Sequence, residues 1–189
     1  MNEADYIVME YPGISREDLQ RHVRFCCNAL AAEKVAYVEL PNNFVYFALK
    51  KRKFKRKPHC LELQIRHLGS VVGGDIVPQM FSALEEREIE FECRYTKGLK
   101  TLSSITTSHT IDDVFTPQII TEIIVNIHEV MNVASDTFTM TYHVGSFEDA
   151  CSISQDDPVK FPPSFKVGRA TGRFVGTVVK VFKGLIRSR

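Results

Sequence analysis

The chain has 189 residues, of which 44% are hydrophobic and 25% charged, and this composition excludes a wholly disordered protein. The formal net charge of +1, taken alone, would exclude a strongly basic nucleic-acid-binding protein. That exclusion does not hold, because the charges are unevenly distributed along the chain. Residues 50–57 (KKRKFKRK) contain seven bases, and residues 166–189 contain seven bases and no acid. Subtracting these 14 from the 24 bases leaves ten bases against 23 acids, so an acidic body carries two basic segments.

The compartment can be predicted from the N-terminus, the hydropathy and the cysteines. The first residues (MNEADYIVMEYPG) lack a basic region followed by an apolar run, so we expect no secretory signal. No stretch reaches the ~18 uncharged apolar residues that span a bilayer. An odd number of irregularly spaced cysteines is untypical of a disulfide framework. We therefore predict an intracellular, cytoplasmic protein that can reach the inner face of a membrane.

The first elements in chain order are a strand, a helix and a hairpin. Residues 5–11 predict a strand that ends at Pro12, and Ser15 predicts the N-cap of a helix, with Asp18 in a variant of the capping box. Residues 35–40 and 44–49 predict a hairpin whose second strand continues into the basic residues. The apolar stripe of the helix consists of Leu19, Val23, Cys26, Cys27 and Leu30.

A comparable order of elements then recurs. Residues 60–68 alternate apolar and polar side chains and predict a half-buried strand, and a helix follows Gly73-Gly74-Asp75. A strand near 89–95 with Ile89, Phe91, Cys93 and Tyr95 inward precedes a Ser/Thr-rich strand near 101–109. Strand-helix-strand-strand thus occurs over 5–49 and again over 60–109, which suggests a duplication without residue-level identity.

The strongest predicted helix follows. Thr116 predicts its cap and Pro117 its first position, and a strand at 137–144 comes next. Together these elements predict an α+β fold, with a mixed or mainly antiparallel sheet and helices packed on it, over residues 1–147. Residues 148–165 are rich in Asp, Ser and Pro and predict a linker. The apolar face of the helix is Ile119, Ile120, Ile123, Ile124, Ile127, Val130 and Met131.

Residues 166–189, the C-terminal segment, predict a basic amphipathic helix. On a helical wheel the bases Arg169, Arg173, Lys180, Lys183 and Arg187 gather on one side. The opposite side holds the residues that we expect to insert into a membrane, namely Phe174, Val178, Phe182 and Leu185. This pattern is typical of helices that lie in a membrane interface. The alternative is an ordinary helix whose apolar stripe faces the core and whose charges face solvent.

Residues 50–57, the polybasic segment, predict an exposed loop or strand extension that binds phosphates of a membrane, an RNA or a DNA. The alternatives are a solvated hairpin tip, a nuclear localisation signal, and an intramolecular partner for the acids Glu85, Glu86, Glu88, Glu90 and Glu92. The predicted anion-binding residues here are Lys50, Lys51, Arg52, Lys53, Lys55, Arg56 and Lys57.

The sequence predicts no catalytic, cofactor-binding or metal-binding residue. His22 and Cys26 share a helix face and His59 adjoins Cys60, but no C-x-x-C pair supports a zinc site, and buried structural cysteines are favoured. Gly73-Gly74-Asp75 lacks the Gly-Lys-Ser/Thr of a phosphate-binding loop.

The function that these patterns favour is that of a non-enzymatic peripheral membrane protein, of the matrix, adaptor or inhibitor type. It would dock on an anionic membrane surface and present its acidic body to a protein partner. One alternative is a non-specific nucleic-acid-binding protein that uses residues 50–57. Another is an enzyme or a small-ligand-binding α+β domain.

Overall fold

The computed structural model describes residues 5–41, 46–53, 59–66, 76–96, 102–112, 115–131, 137–155, 164–169 and 177–178, to which every structural statement refers. The helices are α1 (Arg16–Ala31), α2 (Ile76–Glu85), α3 (Phe115–Val130) and α4 (Phe147–Gln155). The strands are β1 (Asp5–Ser15), β2 (Val35–Pro41), β3 (Tyr46–Arg52), β4 (Cys60–Arg66), β5 (Phe91–Tyr95), β6 (Leu102–Thr110), β7 (Thr137–Val144), β8 (Ser164–Arg169) and β9 (Thr177–Val178).

The described strands form one sheet in the order β5-β6-β4-β3-β2-β7-β1-β8-β9, and every neighbouring pair is antiparallel. An antiparallel sheet with helices confirms the predicted α+β class. The suggested duplication is not reproduced in the strand pairing. In the first half, β7 separates β1 from β2, whereas in the second half β4 pairs with β6, which pairs with β5. Only the element order recurs.

The core lies between the sheet and the helices. Helix α1 packs on β1, β2, β3 and β7, and α3 packs against both α1 and α2. The stripes predicted from 3.6-residue and two-residue spacing are confirmed, because Leu19 and Leu30 of α1 and Tyr142 of β7 are fully buried. Buried residues of the sheet and helices form one hydrophobic cluster, which includes Met9, Leu49, Leu63, Ile105, Met80, Ile120 and Ile127.

Strand β1 continues beyond the predicted end at Pro12. Its pairing with β7 shifts register between Tyr11 and Ile14, so Pro12 and Gly13 form an irregularity inside the strand. Gly13 has φ +74°, a conformation that glycine adopts without steric cost. The prediction that the strand ends there was wrong, because a bulge lets one strand change register and continue directly into α1.

The predicted cap of α1 is confirmed, whereas that of α3 is wrong. The Ser15 hydroxyl accepts a hydrogen bond of 3.1 Å from the backbone N–H of Asp18. Helix α3 instead begins at Phe115, whose backbone N–H donates to the Asp112 carboxylate at 2.8 Å. Thr116 lies inside the helix, where its hydroxyl donates to the Thr110 carbonyl at 2.6 Å and ties α3 to β6.

Strand β5 differs from its predicted pattern at one position. Phe91 and Cys93 pack against the core as expected, but Tyr95 is 58% exposed. The reason is a register irregularity between Arg94 and Tyr95, which interrupts the alternation of the strand. Because β5 is at the edge of the sheet, this end of the strand has a neighbour on one side only.

The chain after β7 also differs from the prediction. Helix α4 occupies the first part of the predicted linker, and Ala150 and Ile153 are buried. Strand β8 pairs with β1, and β9 pairs with β8. Residues 166–169 and 177–178 of the predicted amphipathic helix are therefore extended, and that helix is not confirmed. Gly168 disfavours a helix, and β1 offers backbone partners to a strand. The rest of the C-terminal segment lies outside the described residues.

Candidate anion-binding site

The face of the sheet opposite the core residues is polar, and we call it the polar face. Strand register places Tyr37 of β2 beside Lys50 of β3, and Lys50 beside Glu62 of β4. The charged residues at these alternate positions are Glu10, Glu39, Lys50, Arg52, Glu62, Arg66, Glu92, Arg94 and His143, the last only when protonated. The polybasic segment begins on this face, because the backbone of β3 extends to Arg52 and confirms a strand extension there.

Glu62 is the buried centre of this region. It is 3% exposed, although its outward position in β4 predicted a solvent-exposed acid. Its carboxylate accepts a hydrogen bond of 2.5 Å from Arg52 and lies 3.4 Å from the Lys50 ammonium. The hydrogen bond that Arg52 donates to Glu62 raises the pKa of the Arg52 guanidinium above its ordinary value. A buried carboxylate with two cations satisfies its charge and fixes both cations on the strand surface.

Lys51 and Lys53 are held by a different acid. The Lys51 ammonium donates to the Ala31 carbonyl at 2.9 Å and to Glu33 at 3.1 Å, and Lys53 also pairs with Glu33. Hydrogen bonds from Lys53 and then Lys51 lower the pKa of Glu33 to about 2. Glu33 follows the C-terminus of α1, where a lysine on the last carbonyls is favourable.

These contacts correct the predicted intramolecular partners of the polybasic segment. Four of its bases have acidic partners, but the acids are Glu33 and Glu62 instead of the 85–92 group. From that group, the charge of Glu92 contributes to the raised pKa of Arg52. The sequence carried one signal for Glu62: a base and an acid at facing positions of neighbouring strands stabilise each other.

A concave pocket of about 470 Å³ lies where these residues meet. Its lining includes residues 50–53 at the end of β3 and Arg94 of β5. Of residues 50–53, Lys50 and Arg52 belong to the polar face, whereas the ammonium groups of Lys51 and Lys53 pair with Glu33. Glu62, Glu92, Gln64 and Thr106 complete the lining. The polar, mainly cationic lining suits an anionic ligand. Sequence reasoning identified the four bases of the polybasic segment but missed Arg94, because the order of β4, β6 and β5 cannot be read from their spacing.

The two basic segments belong to the same sheet. In the strand register, Lys50 pairs with Tyr37, Tyr37 with His143, His143 with Val8, and Val8 with Lys166 of β8. Lys166 and Lys50 therefore occupy one row across the sheet. Four strand spacings separate them, which corresponds to about 19 Å. The sequence alone gave no measure of this distance.

An aromatic pair lies in the same row. The rings of Tyr37 and His143 are stacked with centroids 3.9 Å apart and an interplanar angle of 14°. The His143 Nε2 is 2.8 Å from a carboxylate oxygen of Glu39. His143 is thus buried between a ring and a carboxylate, whereas Tyr37 is 36% exposed.

Two of the cysteines have the buried environment that the sequence favoured, whereas Cys60 and Cys93 are partly exposed. Cys26 and Cys27 are buried, and the Cys26 sulfur lies 2.8 Å from the Tyr142 hydroxyl and 3.6 Å from the Met140 sulfur. Burial raises the pKa of both thiols, to about 12 for Cys27, which disfavours the reactive thiolate. Among the described residues, no group of three His, Cys, Asp or Glu is placed to hold a metal ion.

Several predicted site residues lie outside the described part of the chain and stay predictions. These are Lys55, Arg56, Lys57, Arg173, Phe174, Lys180, Phe182, Lys183, Leu185 and Arg187. Arg169 ends β8 and Val178 lies in β9. No helix in the described ranges has the length and apolar character needed to cross a bilayer. No protein-family model matches the chain, and no curated protein or solved structure is detectably similar to it.

Proposed function

We propose that the protein is a non-enzymatic peripheral membrane protein that docks on an anionic membrane surface through its polybasic and C-terminal segments. Its acidic body would then be available to a protein partner, and the inner face of a cytoplasmic membrane is the expected location. The observation that supports this most directly is the shared register row of Lys50 and Lys166. Backbone positions separated by about 19 Å on one sheet are close enough for both segments to reach the same lipid surface.

The charge at the end of β3 supports the proposal in a second way. Two acids, Glu33 and Glu62, face four bases at 50–53, and residues 55–57 add three more bases in the chain. The segment therefore retains an excess of positive charge after its internal pairing. Each base near an anionic leaflet contributes about 1 kcal/mol, which makes binding sensitive to salt.

Vesicle co-sedimentation tests this proposal. We expect the full chain to sediment with phosphatidylserine vesicles and not with phosphatidylcholine vesicles, at an ionic strength of about 0.1 M. Replacing Lys55, Arg56 and Lys57 together by Gln should weaken binding, and Phe182→Glu should weaken it further. A matched control replaces Arg21, Arg24 and Arg87, which lie on the helices or beside them. Binding that is equal in all variants, or absent for the native chain, contradicts the proposal.

A second candidate, single-stranded nucleic-acid binding, is favoured by one specific observation. The Tyr37 ring, which is 36% exposed, lies beside Lys50 on an antiparallel sheet. On such surfaces nucleobases can stack on aromatic rings while lysine and arginine side chains bind the phosphates. This function predicts a steep loss of RNA affinity with salt and little sequence preference. Tyr37→Ala should then reduce oligonucleotide affinity about tenfold, from loss of one stacked base. Unchanged affinity excludes this use of the sheet.

A further inference from the structure

We infer that the pocket on the polar face binds a phosphorylated polyol, such as an inositol phosphate, either free or as the headgroup of a lipid. In its lipid form the inference rests on the proposed membrane function and makes that function selective. The free form does not depend on it. Three features of the pocket support this inference: its charge balance, the strands that supply its cations, and the position of its two acids.

The charge balance matches a phosphate monoester. Three lining bases, Lys50, Arg52 and Arg94, lie on the polar face with the two acids Glu62 and Glu92, which leaves an excess of one positive charge there. The lining also includes Lys51 and Lys53, whose ammonium groups pair with Glu33 at the end of α1 and add one more positive charge nearby. A phosphate monoester carries about −1.5 to −2 at neutral pH, whereas a phosphodiester or a carboxylate carries only one charge. The monoester therefore neutralises the two contributions together.

The cations approach the pocket from two sides. Lys50 and Arg52 lie on β3, whereas Arg94 lies on β5, and β4 and β6 stand between those strands. Three strand spacings correspond to about 14 Å across the sheet, and the register places Arg94 four residues along the strands from the row of Lys50. The two backbones are therefore about 20 Å apart, a gap that the two long side chains narrow from both sides. A ligand of small-molecule size fits between them, because 470 Å³ is within the usual range for such pockets.

The buried Glu62 prepares the cations for a ligand. Its carboxylate lies 2.5 Å from Arg52 and 3.4 Å from Lys50. The Arg52 side chain is still 49% exposed and the Lys50 side chain 39% exposed. A guanidinium carries five N–H donors in a fixed plane, so an arginine that binds one carboxylate can still bind phosphate oxygens. Fixing the cations in advance lowers the entropy that binding must remove.

The second acid indicates where hydroxyl groups lie. Glu92 on β5 faces Thr106 of β6, which in turn faces Gln64 of β4, and all three line the pocket. A carboxylate repels phosphate but accepts hydrogen bonds from hydroxyl groups. Glu92, Thr106 and Gln64 therefore provide a polar floor for a polyol, with the cations at its margins for phosphate. A pocket for phosphate alone would gain nothing from Glu92.

Calorimetry on the full chain tests the pocket without a membrane. We expect inositol bisphosphate to bind, and inositol and inorganic phosphate to bind at least tenfold more weakly, since each lacks half of the contacts. Arg94→Gln should reduce the affinity for inositol bisphosphate about tenfold, the loss of one charge-assisted hydrogen bond. Arg87→Gln, which removes the same charge beyond the end of α2, is the matched control and should bind like the native chain.

Glu92→Gln separates the polyol from the phosphate. The substitution should lower the affinity for inositol bisphosphate, because a carboxylate acceptor is lost. It should raise the affinity for inorganic phosphate, because a repulsive charge is removed. Thermal unfolding of each variant confirms that the fold is kept, and Lys50→Gln gives a second cation variant. No binding of inositol bisphosphate, equal binding of inorganic phosphate, or Arg94→Gln behaving like the control would each overturn the inference.

Vesicles distinguish the two sources of the ligand. Phosphatidylcholine vesicles that contain phosphatidylinositol phosphate are compared with vesicles of equal charge made with phosphatidylserine. Preference for the inositol lipid, abolished by Arg94→Gln, supports the lipid headgroup. Calorimetric binding without vesicle binding supports the free molecule and rejects the membrane proposal. Equal binding to both vesicles, with no calorimetric binding, rejects the pocket inference and keeps the membrane proposal.

Discussion

The carboxylate of Glu62 and the guanidinium of Arg52 form an ion pair of 2.5 Å in which the acid is almost completely buried and the base is half exposed. A buried acid under a solvent-facing base differs from a surface ion pair, which contributes about 0–1 kcal/mol. Here the carboxylate cannot exchange its partners for water, so the two bases are held in place.

We expect Glu62→Gln to lower the free energy of unfolding by about 1–3 kcal/mol, because Arg52 and Lys50 lose a buried negative charge and one of its two acceptor oxygens. The amide keeps the shape of the side chain, so the loss reports charge and hydrogen bonding. Urea denaturation measures it. Glu86→Gln, on an exposed turn, is the control and should stay within about 0.5 kcal/mol of the native value. Equal stability of the two variants would show that water already compensates the pair.

The thiols should fall into two reactivity classes. Cys60 and Cys93 are partly exposed and should react with iodoacetamide in the native protein. The experiment uses the Cys151→Ser variant, so that only these two cysteines and the buried pair can be labelled. Burial raises the pKa of all four thiols, but only Cys26 and Cys27 are also buried from the reagent, and these two should react only after unfolding. Mass spectrometry of the labelled peptides identifies the sites. Rapid native labelling of Cys26 would mean that α1 separates from β7 on the time scale of the reaction.

Glu33 should contribute to stability only above acid pH. Its pKa is lowered from the ordinary 4.5 to about 2 by hydrogen bonds from Lys53 and Lys51. Between those values the unfolded chain binds a proton that the folded chain does not, so stability falls as the pH decreases. Between pH 5 and pH 2 the thermal midpoint should therefore decline less for Glu33→Gln than for the native protein. The two pKa values of Glu33, 4.5 in the unfolded chain and about 2 in the folded chain, fall in this pH range. Parallel curves would show that Glu33 is not paired in solution.

Two glycines allow a backbone effect to be measured without a packing effect. A Cβ added at Gly13 or at Gly145 meets no atom within 4 Å. Gly13 has φ +74°, so Gly13→Ala should destabilise by about 1–2 kcal/mol through backbone strain. Gly145→Ala lacks that strain and should be neutral or stabilise by up to about 1 kcal/mol, since alanine restricts the unfolded chain. Similar effects at both positions would indicate that β1 relaxes around Gly13.

The periodic parts of the fold could be predicted from the sequence, and the long-range parts could not. The apolar stripes of α1 and α3 and the alternation in β7 follow from local spacing, and the structure buries most of those residues. The exceptions in the stripe of α3 are Ile119, Val130 and Met131, which are partly buried. The insertion of β7 between β1 and β2 depends on contacts between distant parts of the chain. No spacing rule predicts it, and the suggested duplication failed for this reason.

Only part of the candidate site could be predicted from the sequence, for the same reason. A run of bases is evident in any sequence, so Lys50 and Arg52 were found. The burial of Glu62 follows from its neighbours in the sheet, and Arg94 reaches the pocket only because β6 lies between β4 and β5. For residues 166–169 the sequence predicted a helix, because a helical wheel can separate the basic and apolar residues of many segments. The structure has a strand there, since β1 provides a backbone partner.

The place of β1 in the sheet has a consequence for how the protein is made. Ile7 and Met9 are synthesised well before the two strands that flank β1 in the sheet, since β7 and β8 come from much later in the chain. Until β7 has left the ribosome, β1 has no strand partner, and contacts of such large sequence separation form slowly. A nascent or truncated chain that stops before β7 would expose an unpaired strand and be prone to aggregation.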